Sequence, residues 1–130
     1  MSDGPTILTV MDSLKPWFGG ECWVAWRAAL ASIFALPLSL EQLAIYRKHT
    51  GRETPPTAPV AEFWAVVGRR GGKSVIAALL ALFFSVFKSY QGVLRPGEHG
   101  VVMILASDRR QARVVFNYLT AFFRLPSLAK

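Results

Sequence analysis

Thirteen residues, Val75 to Phe87, run without a charge between Lys73 and Lys88, and Gly68-Arg-Arg-Gly-Gly-Lys-Ser74 stands directly before them. A bilayer-spanning helix needs about 20 apolar residues, so a run this short predicts a buried core helix. The helix is expected from Ser74 to about Tyr90. It is apolar on nearly every side, so it must pack on several faces.

The loop before it invites a chemical reading. Phosphate binding needs consecutive backbone N–H groups directed into one concavity, together with the partial positive charge of a helix N-terminus. Gly71 and Gly72 supply bare backbone. Lys73 is placed to reach β- and γ-phosphates, and Ser74 brings a hydroxyl suited to Mg²⁺. The standard pattern G-x-x-x-x-G-K-[ST] would put its first glycine on Val67, whereas the chain has Gly68. Arg69 or Arg70 can act as an arginine finger supplied in cis. The alternative is a surface position facing carboxylates or DNA phosphate, and the residue pattern leaves both readings open.

The flanks predict the fold. Phe63-Trp64-Ala65-Val66-Val67 is a short aromatic and β-branched run, expected as a strand buried on both faces. Val101 to Ala106 is expected as a second strand, and Ser107 or Asp108 as the cap of a helix reaching Arg124 before Pro126. Strand, glycine loop, helix, strand and helix in series predict a right-handed β-α-β crossover with parallel strands. Upstream, apolar residues recur at helical spacing from Trp23 to Leu36, until Pro37. Ser39 is expected to cap a helix from Leu40 to about Lys48, with Gly51 as its stop. The stretch RETPPTAPVAE then reads as an extended connector. The expected fold class is α/β: an incomplete P-loop NTPase with a parallel βαβ core, preceded by an N-terminal helical segment. Residues 1–60 form the helical prelude and connector; residues 61–130 begin the ATPase domain.

Composition bounds the partners. Hydrophobic residues make up 52% and charged residues 18%, which excludes a disordered chain. The net charge of +7 favours polyanions such as nucleotides, nucleic acids or anionic membranes without choosing among them; an inert basic surface is the alternative. Cys22 is the only cysteine, so the chain has no internal disulfide and no thiolate zinc cluster. Among Trp23, Val24 and Trp26 it is expected to be a buried, inert thiol. His49 and His99 are isolated in sequence. The N-terminus has early acidic residues and no long apolar stretch, so it does not read as a signal peptide. An intracellular compartment fits.

Taken together, WVAWRAALASIFALPLSLEQLAIYRKHTGRETPP, VVGRRGGKS and PGEHGVVMILASDRRQARVVFNYL cover nearly all of residues 23–119. They resemble the N-terminal part of a tailed-phage terminase large subunit, the ATPase motor that packages viral DNA. That family commonly carries a deviant Walker A motif with an early arginine and no glycine at the first standard position. The resemblance implies that Lys73 and Ser74 are the phosphate and magnesium residues. It also implies that Arg69 senses or stabilises the γ-phosphate, and that Gly68, Arg70, Gly71 and Gly72 complete the loop. The segment Tyr46 to Arg52 becomes the adenine-contacting candidate. Gln111-Ala112 occupies the place of a nucleic-acid-contacting motif in related motors. Arg109, Arg110 and Arg113 then meet DNA phosphate, or lie on the solvated face of an ordinary helix. Implied cofactors are ATP and Mg²⁺. Implied partners are double-stranded DNA, the terminase small subunit and the portal protein, with no membrane. The implied location is the host cytoplasm at the procapsid portal.

Hydrolysis also needs a carboxylate pair at the end of a hydrophobic strand. These residues contain no such pattern, since the second apolar run ends in Ala106-Ser107-Asp108. The family's Walker B segment and nuclease domain are expected beyond Lys130, in a truncated or split larger enzyme. The chain itself is expected to hydrolyse ATP negligibly and to be poorly soluble or self-associating. Two other classes stay open: a different P-loop NTPase, such as a helicase-like one, and a non-enzymatic basic nucleic-acid-binding module.

Overall fold

In the computed structural model, residues 4–126 and 128 are described. They divide into two compact units: residues 6–66, and residues from Val67 on together with Gly4 and Pro5.

The first unit is helical. Helix α1 (Ile7–Ser13) starts at Thr6, whose side chain accepts from the Thr9 backbone N–H, and α2 (Lys15–Phe18) has Pro16 in its first turn. A 3₁₀ turn, Glu21–Trp23, leads into α3 (Val24–Ile33). Next is α4 (Leu40–Thr50), entered by a capping box in which Ser39 and Gln42 each accept from the other's backbone N–H. Gly51, in the left-handed region, closes α4 by donating to the Arg47 carbonyl at 2.9 Å. Both ends of α4 thus lie where the sequence signals put them.

Helix α1 packs on α3, and α3 on α4. The core holds Ile7, Val10, Met11, Leu14 and Phe18 with Ala28, Leu30, Ala31 and Tyr46. Each large side chain buried there contributes roughly 1.5–3 kcal/mol. Trp23 meets the Phe18 ring edge-on at 4.9 Å, and Arg27 pairs with Asp12. Helix α3 ends at Ile33 rather than Leu36: Ala35 turns to φ 52°, and the Leu36 N–H folds back to the Ala31 carbonyl. The proline-rich connector is held by Val60 N–H donating to the Ile33 carbonyl at 2.9 Å.

The second unit is built on α5 (Lys73–Leu82) packed against α6 (Arg109–Phe123). Val75, Ile76, Ala78, Leu79, Ala81 and Leu82 are buried, as the uncharged run requires. On α6, Val115 and Phe122 face inward, one seven-residue repeat apart. Asp108 caps α6 by accepting from the Gln111 N–H at 2.8 Å. The apolar helix stops short of Tyr90. Residues Phe83–Phe87 widen into a π turn, where the Ser85 hydroxyl donates to the Ala81 carbonyl at 2.7 Å and competes with the helical ladder.

The expected α/β class is overturned. Among the described residues there are helices and no β-strand or sheet, so the parallel βαβ P-loop core is not present. The one isolated bridge, Gln91 to Leu94, spans a tight turn. Neither segment expected as a strand makes a ladder hydrogen bond. Instead of being buried on both faces, Trp64 is 85% and Val66 106% exposed, and Val101 and Leu105 are similarly open. The physical reason is that β-branched and aromatic residues suit a pleated, half-buried surface only once a neighbouring strand provides one. Cys22 is a second correction: it is exposed, not buried. It lies in the 3₁₀ turn before the periodic part of α3, where Trp23 turns towards Phe18 instead. No helix among the described residues is long and apolar enough to cross a membrane.

Candidate functional site

The loop from Val67 to Ser74 belongs to the second unit. Arg69 and Arg70 form a turn in which the Gly71 N–H donates to the Gly68 carbonyl at 3.2 Å. Gly71 is required by close approach. A Cβ there would lie 2.3 Å from Val67 Cγ1, far inside van der Waals contact. Gly72 sits at φ 81° and hands the chain into α5 as its N-cap, a conformation that glycine adopts without steric cost. Arg70 takes φ 60° with a full side chain, and such a position costs about 1–3 kcal/mol unless its surroundings compensate.

Lys73 and Ser74 are the first two residues of α5, which has no side-chain cap. The first amides of a helix need partners beyond the helix itself. Gly68, Arg69, Arg70 and Lys73 are exposed, while Gly71, Gly72 and Ser74 are half-buried. Among the described residues, the ion pairs are Arg27–Asp12 and Arg47–Glu53, so Arg69, Arg70 and Lys73 have no carboxylate partner. Three cations and an open helix N-terminus therefore fall within five consecutive residues, Arg69 to Lys73. Such a cluster attracts an anion. With the Gly71 amide engaged by Gly68, the donors best placed for one are those of the first turn of α5.

For magnesium, the Ser74 hydroxyl is the one candidate protein oxygen in the loop. No group of three or more His, Cys, Asp or Glu among the described residues can hold a metal ion. That donor set fits Mg²⁺ only as the ion arrives with phosphate and water oxygens, its usual manner of binding.

The adenine-contacting candidate, Tyr46 to Arg52, is largely occupied with its own structure. The buried Tyr46 hydroxyl donates to the Thr54 carbonyl at 3.3 Å, Arg47 donates to the Glu53 carbonyl at 3.1 Å, and Thr50 donates back to Tyr46 at 2.8 Å. The Thr50-Gly51-Arg52 sequence thus forms the C-terminal closure of α4, which accounts for those residues without a ligand.

Around α6 the structure adds two concavities that motif reading did not reveal. Asp108, Arg109, Arg110 and Arg113 line an open recess of about 380 Å³. Beside it, a groove of about 670 Å³ is lined by Val102 and Ile104 and, on α6, by Arg109, Ala112, Arg113, Phe116 and Asn117. The sequence of residues 101–106 is apolar throughout, so only packing shows that Val102 and Ile104 are the ones that turn to α6. Gln111 is exposed and its backbone N–H is taken by Asp108, whereas Ala112 lines the groove.

No protein-family model, no curated protein and no solved structure matches this chain.

Proposed function

We propose that the chain is an ATP-binding N-terminal portion of a phage terminase large subunit, the motor that drives viral DNA packaging. The observation that carries the reading is the start of α5 at Gly72, which has no side-chain cap, with Arg69, Arg70 and Lys73 lacking carboxylate partners among the described residues. In this reading the first turn of α5 receives the phosphates, Lys73 neutralises the β- and γ-oxygens, and Ser74 contributes one oxygen to Mg²⁺. Arg69 or Arg70 stands over the terminal phosphate. The resemblance favours Arg69, while the left-handed backbone at Arg70 marks a residue held in place at a steric cost.

The same reading proposes double-stranded DNA, the small subunit and the portal protein as partners, at the procapsid portal in the host cytoplasm. Binding, rather than turnover, is what these residues support, because they offer no carboxylate pair to orient water. Steady-state ATP hydrolysis by this chain is expected at background, and a higher rate abolished by Lys73→Ala would contradict that expectation.

One observation favours a second reading. The recess formed by Asp108, Arg109, Arg110 and Arg113 suits a nucleic-acid phosphate and supports a non-enzymatic, basic nucleic-acid-binding module. Thermal denaturation separates the two. ATP with Mg²⁺ should raise the melting temperature of the wild-type chain but not of Lys73→Ala. Protection by duplex DNA alone, fading with salt, would replace the motor reading with the second one.

A further inference from the structure

The charge of the chain is divided unevenly. Residues 6–66 carry five Lys or Arg and five Asp or Glu, whereas residues 67–130 carry ten and two. The surplus of +7 therefore arises in the second stretch. Both of its acidic groups are engaged: Glu98 accepts from the Arg95 N–H at 2.8 Å, and Asp108 from the Gln111 N–H at 2.8 Å. Such asymmetry between halves points to a polyanionic partner. On α6 the cations are ordered. Arg109, Ala112, Arg113, Phe116 and Asn117 follow steps of three and four residues, so they form one stripe, and that stripe lines the groove. The core side chains Val115 and Phe122 lie on a different face. Phe116 is 62% exposed, and Arg109 and Arg113 have no carboxylate partner among the described residues.

We propose that this groove binds single-stranded nucleic acid: Arg109 and Arg113 meet phosphates of one strand, Phe116 stacks on a base, and the Asn117 amide bonds a base edge. The inference deepens the nucleic-acid reading of α6 and rests on it, not on nucleotide at α5. Cations interleaved with an open aromatic ring suit a single strand, because its backbone supplies charge and every base offers a ring face. The same ring disfavours a duplex. Bases there are already stacked, so Phe116 would meet one only after a base step is opened. The opposite wall disfavours an anionic membrane. Residues 101–106 make no backbone hydrogen bond among the described residues, and lipid would leave their amides and carbonyls without partners. Beside a nucleic-acid strand, bridging water can satisfy them.

The test is fluorescence anisotropy of a labelled oligothymidylate with the full-length chain, without nucleotide, over a range of salt. Circular dichroism checks that each variant keeps its helices. Wild type should bind the oligothymidylate more tightly than a duplex of equal length, with affinity falling as salt rises. Phe116→Ala should weaken single-strand binding about tenfold and leave its salt dependence unchanged, whereas Phe116→Trp should retain the affinity. Arg113→Ala should lower the slope of log affinity against log salt by about 0.7, the loss of one phosphate contact. Duplex binding as tight as single-strand binding, or single-strand affinity indifferent to Phe116→Ala, would overturn the inference and leave the phosphate reading of α6 standing. Binding of neither, or a preference for polyglutamate or anionic vesicles, would overturn both.

Discussion

Helices α4 and α5 begin in opposite ways. At α4, Ser39 and Gln42 exchange side-chain-to-backbone hydrogen bonds, so the helix closes on itself using its own residues. At α5, the cap is a left-handed glycine with no side chain, and the turn before it carries Arg70 at φ 60°. Among the described residues, Arg47 near the end of α4 is paired with Glu53, whereas Lys48 and Arg52 beside it, like Arg69, Arg70 and Lys73 around the start of α5, have no carboxylate partner. The start of α4 stabilises a fold. The start of α5 leaves donors and charge unspent, and that is why the candidate site is placed there.

The largest expected effect is on ligand response. Lys73→Ala should abolish the ATP–Mg²⁺ melting shift, a loss of about 2.7 kcal/mol of linkage when nucleotide stands at a hundredfold excess over Kd. The melting temperature without nucleotide should move little, since Lys73 is exposed. If the shift persists in this variant, the contrast between the two helix starts has no functional meaning.

Next in size, Gly71→Ala drives a methyl group into Val67 Cγ1 and should cost about 1–3 kcal/mol. Chemical denaturation measures it, and Val67→Ala in the same chain should recover part of the loss. Independent, additive effects would mean that the loop does not hold the close turn described here.

Ser39→Ala should cost about 1 kcal/mol through loss of the α4 cap. It should lower the melting temperature while leaving the increment produced by ATP unchanged. A reduced increment would show that the prelude takes part in nucleotide binding.

Smallest is Arg70→Gly, which relieves the left-handed backbone and should stabilise the free chain by up to about 1 kcal/mol. If Arg70 overhangs the phosphates, the same variant lowers the ATP-induced shift. Stabilisation without that loss would assign the terminal phosphate to Arg69 alone.

Much of the local structure was legible because it depends on near neighbours. Ser39 as the cap of α4, Gly51 as its stop, and a cap at Ser107 or Asp108 for α6 each act across three or four residues, so spacing suffices to place them; that Asp108 is the one used, and that Gln42 answers Ser39, the structure adds. The burial of α5 was legible as well, since an uncharged run leaves few alternatives. The strands were not. Phe63–Val67 and Val101–Ala106 have strand-forming residues, yet a strand exists only where a second backbone answers its donors and acceptors. The exposure of Cys22 was hidden for a related reason. Its neighbours Trp23 and Trp26 are aromatic, but the phase of the 3₁₀ turn decided which of these side chains turned inward.

By itself, then, the sequence determined the limits of α4 and α6, that the uncharged run of α5 is core, and that arginines and paired glycines precede α5. Tertiary structure decided what local rules do not encode: the groove between residues 102–104 and α6, the unpaired backbone of residues 101–106, and the absence of a sheet among the described residues. Caps, periodicity and the turn at Gly71 are satisfied within a turn or two of chain, whereas ladders require backbones distant in sequence to meet.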